Sequence, residues 1–346
     1  MPKIQTWSEI EDKYTDTLLL GNGASMAIDP CFSYRSLKEA AAAAGLITSN
    51  IQSVFDYLKT QDFELVMNII SHTYHVNQAL CVPDNVTLQA YNEVKTALVG
   101  AVRGKHTSFE EASVHLKPIA TFMKRFHTVL SLNYDLIVYW AMMESKSQFG
   151  NWFKDCFVNG TLDIDWRRMR QPFGASGSTL VFYPHGNLAL ATSISGFESK
   201  MARQSDLASL LACVLQRWES GEDFPLFVSE GDTEQKKRAI LRSHYLSTVY
   251  NEVMQSPSLG ESCAVYGWSA NDNDAHILQR ICQPSTQYLA FSVYRGQRSQ
   301  SEVDAECAIT EAKVRQKNQR IKTEFYWSDS ADCWLNAVPE VASKSA

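Results

Sequence analysis

Four short clusters in this 346-residue chain combine small, polar and ionisable side chains in patterns that suit chemistry on a ligand. The first is Gly21-Asn22-Gly23-Ala24-Ser25, where small side chains let backbone amides approach a pyrophosphate closely. The same Gly-x-Gly pattern also makes a tight turn that only packs. Met26 stands where a Gly-x-Gly-x-x-Gly dinucleotide fingerprint needs glycine. No Gly-Lys-Ser/Thr occurs, so a phosphate-loop ATPase is excluded. The second cluster, Asn133-Tyr134-Asp135, offers polar ligand groups or a helix cap. The third, Pro184-His185-Gly186-Asn187, holds a histidine suited to general-base work near neutral pH, although any of eight histidines could occupy a turn. The fourth is Tyr266-Gly267-Trp268-Ser269, followed by Asn271, Asp272 and Asp274, and reads as a glycine turn with a polar helix start.

The elements that must position these clusters are legible as short apolar runs. Strands are predicted at 17–20, 128–132, 179–183, 263–266, 288–293 and 323–327. Runs that are apolar on both faces suit strands buried in a parallel sheet under helices. The fold class expected is α/β: a Rossmann-like open parallel sheet with helices on both faces and large helical insertions. Each of the four clusters follows directly on one of these strands, at the edge where such sheets bind ligands. Helix starts are signalled by Ser36 with Glu39, closing at Gly45, by Ser108 with Glu111, and by Ser301 with Asp304, whose helix is expected to run to about Ile321. Residues 1–335 are expected to form one domain, with helical insertions at about 45–126 and 197–260. A long loop over the site is expected at 144–178, and a frayed tail at 336–346.

Composition narrows the class further. A net charge of −6 gives no reason to expect nucleic acid or an anionic membrane as partner. No run of about 18 apolar residues spans a bilayer, and Met1–Asp16 lacks the apolar core of a signal peptide. Eight cysteines without a Cys-x-x-Cys exclude a zinc ribbon and point to a reduced, cytoplasmic protein. Glu110-Glu111 and Asp163/Asp165 have no histidines at ligand spacing, so no metal is expected. Trp140, Trp152, Phe153 and Trp166 read as packing, and Arg167-Arg168-Met169-Arg170 as a solvated loop. Lys236-Lys237-Arg238, after Glu230, Asp232 and Glu234, reads as a salt-bridged helix surface.

The order of the motifs resembles the sirtuin-like superfamily of NAD-consuming enzymes. That superfamily has a Gly-Ala-Gly-x-Ser loop, a Pro-x-Phe, an Asn-x-Asp, a His-Gly and a Gly-x-Ser in sequence. Here they correspond to Gly21–Ser25, Pro30-Cys31-Phe32, Asn133-Tyr134-Asp135, His185-Gly186 and Gly267-Trp268-Ser269. The Leu20-Gly21-Asn22-Gly23 start and Phe32-Ser33-Tyr34 segment are similar to a zinc-free bacterial branch of sirtuin relatives. The interval Asn187–Tyr266 holds only Cys213 and Cys263, not the four cysteines of the sirtuin zinc module. Cys31 and Ser33 replace the acid and arginine flanking the loop phenylalanine, with Arg35 as a substitute for the latter. These departures turn the expectation from deacylation toward hydrolysis of NAD, an activity that zinc-free relatives in anti-phage defence often have.

The resemblance implies roles residue by residue. Gly21, Asn22, Gly23, Ala24 and Ser25 would cradle the pyrophosphate, and Phe32 would cover the nicotinamide ribose. Asn133 would orient ribose or water, Asp135 would hold the nicotinamide carboxamide, and His185 would be the base. Gly267, Ser269 and Asp272 would meet the adenosine half. NAD is expected as substrate, with a regulatory protein or further copies of the chain as partner. An NAD or ADP-ribose sensor without turnover and an ADP-ribosyltransferase are the alternatives.

Overall fold

A computed structural model describes residues 3–33, 36–201, 207–221, 223–228 and 231–338. Arg35 and the last residues of the expected tail, 339–346, lie outside the described residues. The six expected strands all form: β2 (Thr17–Leu20), β3 (Thr128–Ser131), β5 (Thr179–Phe182), β6 (Ser262–Tyr266), β7 (Tyr288–Val293) and β8 (Lys322–Trp327). Two short strands extend the sheet at its edges, β1 (Ile4–Gln5) and β4 (Phe153–Lys154). Every residue of β2, β3, β5 and β6 is buried, as strands covered on both faces must be.

The sheet order is β1-β8-β7-β6-β2-β3-β5-β4, with every pairing parallel. Counting only the six long strands in chain order, this is 3-2-1-4-5-6, the doubly wound arrangement of dinucleotide-binding sheets. Flanking helices complete a Rossmann-like α/β fold. The connections change direction between β2 and β6, whose registers place Leu20 beside Tyr266. No helix among the described residues is long and apolar enough to cross a membrane.

Helix signals held where the cap could bond the third residue on. Ser36 Oγ accepts the Glu39 amide at 3.0 Å, and Ser108 and Glu111 form a reciprocal box. The C-terminal helix is Gln300–Lys317, started by Ser299 with Glu302 rather than by Ser301 with Asp304. The same four-residue spacing occurs two residues earlier, and that copy is the one whose side chains close the box.

The insertion after β2 is helical as expected, with helices at Ser49–Leu58, Phe63–Ala79, Asn85–Lys105 and Phe109–Met123. The region around 197–260 is not purely helical. Gly186–Ser193 pairs antiparallel with Glu198–Lys200 on one side and Asp223–Phe227 on the other. Helices Leu210–Ser220 and Thr233–Arg242 accompany this small sheet. The stretch 144–178 does not cover the clusters: it contributes edge strand β4, and Arg170 hydrogen-bonds Thr128 Oγ1 at the opposite, amino end of β3. Arg167 and Arg168 pair with Glu252 and Asp163. Trp140, Phe153 and Trp166 are buried core residues, and Trp152 packs against them in part.

Candidate functional site

The carboxyl ends of β2 and β6 carry Gly21 and Gly267, and their loops pack directly on each other. The Gly21 amide donates to the Tyr266 carbonyl at 2.9 Å and the Gly23 amide to the Gly267 carbonyl at 2.8 Å. A Cβ on Gly21 would lie 2.5 Å from Trp268 Cβ, and one on Gly23 2.7 Å from Gly267 Cα. Gly267 has φ +69°, and its Cβ would sit 2.3 Å from the Ala24 nitrogen. The glycines are therefore required by loop-on-loop contact. The Ala24 amide is engaged as well, donating to the Gly21 carbonyl. This corrects the expected pyrophosphate cradle: the amides of Gly21, Gly23 and Ala24 bond within the protein, and Ala24 and Ser25 are buried.

Beside this seam opens a cleft of about 960 Å³. It is lined by Gly21, Asn22, Phe32, Asn133, Asp135, His185, Gly267 and Ser269 among the expected residues. Gly23, Ala24, Ser25 and Asp272 do not line it. Asp272 points to solvent with its side chain 90% exposed and pairs with Lys313 at 2.7 Å, so it is not placed to meet an adenosine.

Asn133 comes in from the end of β3. Its Nδ2 donates to the Gly21 carbonyl at 2.9 Å and to Ser25 Oγ at 2.8 Å. Both amide hydrogens are thus engaged, and Oδ1 is the atom Asn133 can offer to the cleft. Ser25 passes its hydroxyl hydrogen to the Asp135 carboxylate, whose other oxygen accepts the Ile137 amide at 2.9 Å. Burial pushes the Asp135 carboxyl up, opposed by nearby His106. His106 itself accepts the Leu136 amide on Nε2 at 3.0 Å, and burial pushes its pKa down. Asp135 braces Ser25, and through it Asn133, while lining the cleft. Phe32 is buried against the edge of His106, and its carbonyl accepts the Asn22 side-chain amide at 3.1 Å.

His185 follows β5 and begins the small antiparallel sheet. Its carbonyl accepts the Val228 amide at 2.7 Å, and Gly186 pairs with Phe227 so tightly that a Cβ would meet the Leu226 carbonyl at 2.1 Å. The His185 ring is buried, and burial pushes its pKa down to about 3. Its Nε2 lies 3.1 Å from Nε2 of His276, whose pKa burial pushes down to about 4. Asp274, two residues before His276, accepts Lys236 at 2.7 Å and the Trp268 indole N–H at 3.3 Å. Burial would raise the Asp274 carboxyl, but His185 and Lys236 more than offset this and hold it below the usual carboxylate range.

His276 and Lys236 were not legible as site residues. Lys236 is a buried cleft residue, which corrects the reading of Lys236-Lys237-Arg238 as a surface. An Asp-x-His pair at a helix start was the available signal for His276, but nothing local shows that a histidine from β5 would meet it. His185, Asp274 and His276 bring ligand-type atoms within 4.8 Å of one another, where no metal had been expected. The Lys236 ammonium on Asp274 occupies the neighbourhood a dication would need. None of the eight cysteines is in a disulfide.

A doubly wound α/β sheet with a polar cleft at its switch point defines a protein of the Rossmann-like class. More particularly, the model of a family described as a domain of unknown function (DUF4917) matches residues 18–334, and the chain belongs to that family. A search of curated proteins finds no match.

Proposed function

We propose that the chain hydrolyses NAD at the nicotinamide N-glycosidic bond, releasing nicotinamide and ADP-ribose. The observation that carries this reading is the convergence of Asn133 and His185 on one cleft at the switch point between β2 and β6. The cleft volume lies toward the upper end of the roughly 300–1,000 Å³ usual for ligand pockets, as a dinucleotide requires. The motif order shared with sirtuin-like enzymes supports the same substrate.

In this reading the glycosidic bond breaks with its electron pair leaving on the nicotinamide nitrogen, and the ribose carbon becomes oxocarbenium-like. Water adds to that carbon and gives up a proton to His185. A histidine with a low pKa is neutral at pH 7, the form a base needs, and Asp274 offsets part of the cost of charging it in a buried place. Asn133 Oδ1 accepts a hydrogen from water or from a ribose hydroxyl and so orients it. Phe32 covers one face of the ribose. Asn22 and Ser269, at the rim of the seam, take the polar contacts to phosphate and adenosine that the engaged glycine amides do not. Such an activity in a cytoplasm calls for restraint by a partner or by assembly, and anti-phage defence is the setting we propose. The low proton affinity of His185 favours one second reading, a domain that binds NAD or ADP-ribose without consuming it.

Mass spectrometry of NAD incubated with the protein, beside calorimetric titration, separates these. Wild type is expected to release nicotinamide, and His185→Ala and Asn133→Ala to lose at least about a hundredfold in rate while remaining folded. Turnover that persists in both variants sinks the assignment of roles; binding without product establishes the sensor.

A further inference from the structure

We infer that the ammonium of Lys59 binds the diphosphate of the nucleotide held in the cleft. This rests on the reading of the ligand as NAD and deepens it by naming the cation that meets its charge.

A diphosphate is an anion, and an anion drawn partly out of water needs a counter-charge or hydrogen bonds in return. The glycine seam does not supply them, because the amides of Gly21, Gly23 and Ala24 bond within the protein. Asn22 and Ser269 offer hydrogen bonds without charge. Among the described residues, no arginine lines the cleft, and its lysines are Lys38, Lys59 and Lys236. Lys236 is buried against Asp274 at 2.7 Å, and Lys38 stands over the Phe55 ring at 4.8 Å. Lys59 is exposed, and its ammonium makes no ion pair or hydrogen bond among the described residues. Asp56 and Asp232 line the cleft with it but hold other groups. Asp56 accepts the Gln52 side-chain amide at 2.7 Å, and Asp232 accepts the amides of Glu234 and Gln235 at 2.9 and 2.8 Å.

The backbone of Lys59 is held while its side chain is not. It ends helix Ser49–Leu58 at φ +50° and ψ +45°, the left-handed region that favours glycine. Its carbonyl accepts Gln235 Nε2 at 3.4 Å, and Gln235 Oε1 accepts the Asp232 amide at 3.0 Å. The turn from the first insertion is thus clipped to the second at the cleft wall. A lysine in this conformation costs stability, and an exposed side chain recovers none of it by packing. What the lysine adds is a compact charge on a flexible four-carbon stem. Such a group meets a diphosphate as a point charge, without the fixed fork geometry of arginine.

Calorimetry with ADP-ribose and kinetics with two substrates test this in Lys59→Gly and Lys59→Arg. Glycine relieves the left-handed strain, so Lys59→Gly is expected to be at least as stable in urea as wild type, and a lost affinity is then not a lost fold. Its dissociation constant for ADP-ribose is expected to rise by about tenfold or more, the worth of one hydrogen bond to a charged group. Lys59→Arg keeps the charge and is expected to stay within about threefold of wild type. Nicotinamide riboside has the same glycosidic bond and no diphosphate. The preference for NAD over it, as a ratio of kcat/KM, is expected to fall by about tenfold in Lys59→Gly. Unchanged ADP-ribose affinity in Lys59→Gly, or equal losses in the two variants, overturns the proposal. So do equal losses on the two substrates, or a wild type that binds no ADP-ribose. Should wild type bind ADP-ribose but release no nicotinamide from NAD, the hydrolase reading fails alone, and the affinities of the variants still decide the role of Lys59.

Discussion

Gly267 shows how a motif residue can be read correctly as a turn and still be misassigned. Glycine at the end of a strand suggests space for a phosphate, yet the space at Gly21, Gly23 and Gly267 is filled by the opposing loop. The two halves of that contact are far apart in the chain, and no local pattern reports which loop a glycine will meet. Gly267→Ala would force a side chain into the left-handed region and against the Ala24 amide. We expect it to cost about 1–3 kcal/mol of stability in denaturant unfolding. Unchanged stability with loss of nucleotide binding would return the glycine to the ligand. The place of Asn133 and His185 in the cleft was legible because each directly follows an expected strand. The bracing of Ser25 by Asp135 was not legible, because it depends on a partner 110 residues away that no local pattern names.

Helix Thr233–Arg242 carries the same lesson at the scale of an element. Its start, Asp232 with Gln235, is a full capping box, and the face it buries is set by Lys236 and Ile240, one turn apart. Reading Lys236-Lys237-Arg238 as a charged run hid that helical phase, in which only the first of the three turns inward. The buried Lys236–Asp274 pair ties this helix to the segment after β6. Lys236→Met removes one partner of that pair and is expected to cost about 3–5 kcal/mol at pH 7. The sign with pH follows from Asp274. Its carboxyl is held below the ordinary value of about 3.9, so the pair's contribution is present above that pH and lost as pH falls through the lower folded value. In the variant, the part of the offset that Lys236 supplies is lost and the carboxyl rises. The deficit relative to wild type is therefore largest at neutral pH and narrows as pH falls through the variant's raised carboxyl toward the lower one of wild type. Urea unfolding at pH 7 and pH 4 measures this, and a deficit equal at the two values argues that Lys236 matters only for packing.

Across the whole molecule, the apolar runs made the six central strands and their parallel class legible, and with them the edge on which the four clusters lie. The order of those strands, and so the pairing of β2 with β6 at the switch point, is a tertiary fact that no single run encodes. The same holds for the insertions. Phe55, Asp56 and Lys59–Gln61 from the first and Gly231, Asp232, Gln235 and Lys236 from the second reach the cleft, although no motif for a ligand marks them. A ligand bound there bridges the sheet edge and both insertions, and its effect must be distributed accordingly. At a hundred times its dissociation constant, NAD or ADP-ribose should stabilise the folded state by about 2.7 kcal/mol, read as a rise of several degrees in Tm. Hydrogen exchange should slow together at 21–23, 55–61, 231–236 and 267–271. A second cavity lies at the opposite end of the strands, lined by Asp16, His127 and Arg170. Protection confined to that cavity, with calorimetry reporting binding, would move the ligand to the other edge of the sheet and remove Asn133 and His185 from its chemistry. Protection of both insertions beyond the uniform slowing that any stabilising ligand gives places the ligand in the cleft they share, and so at the switch point.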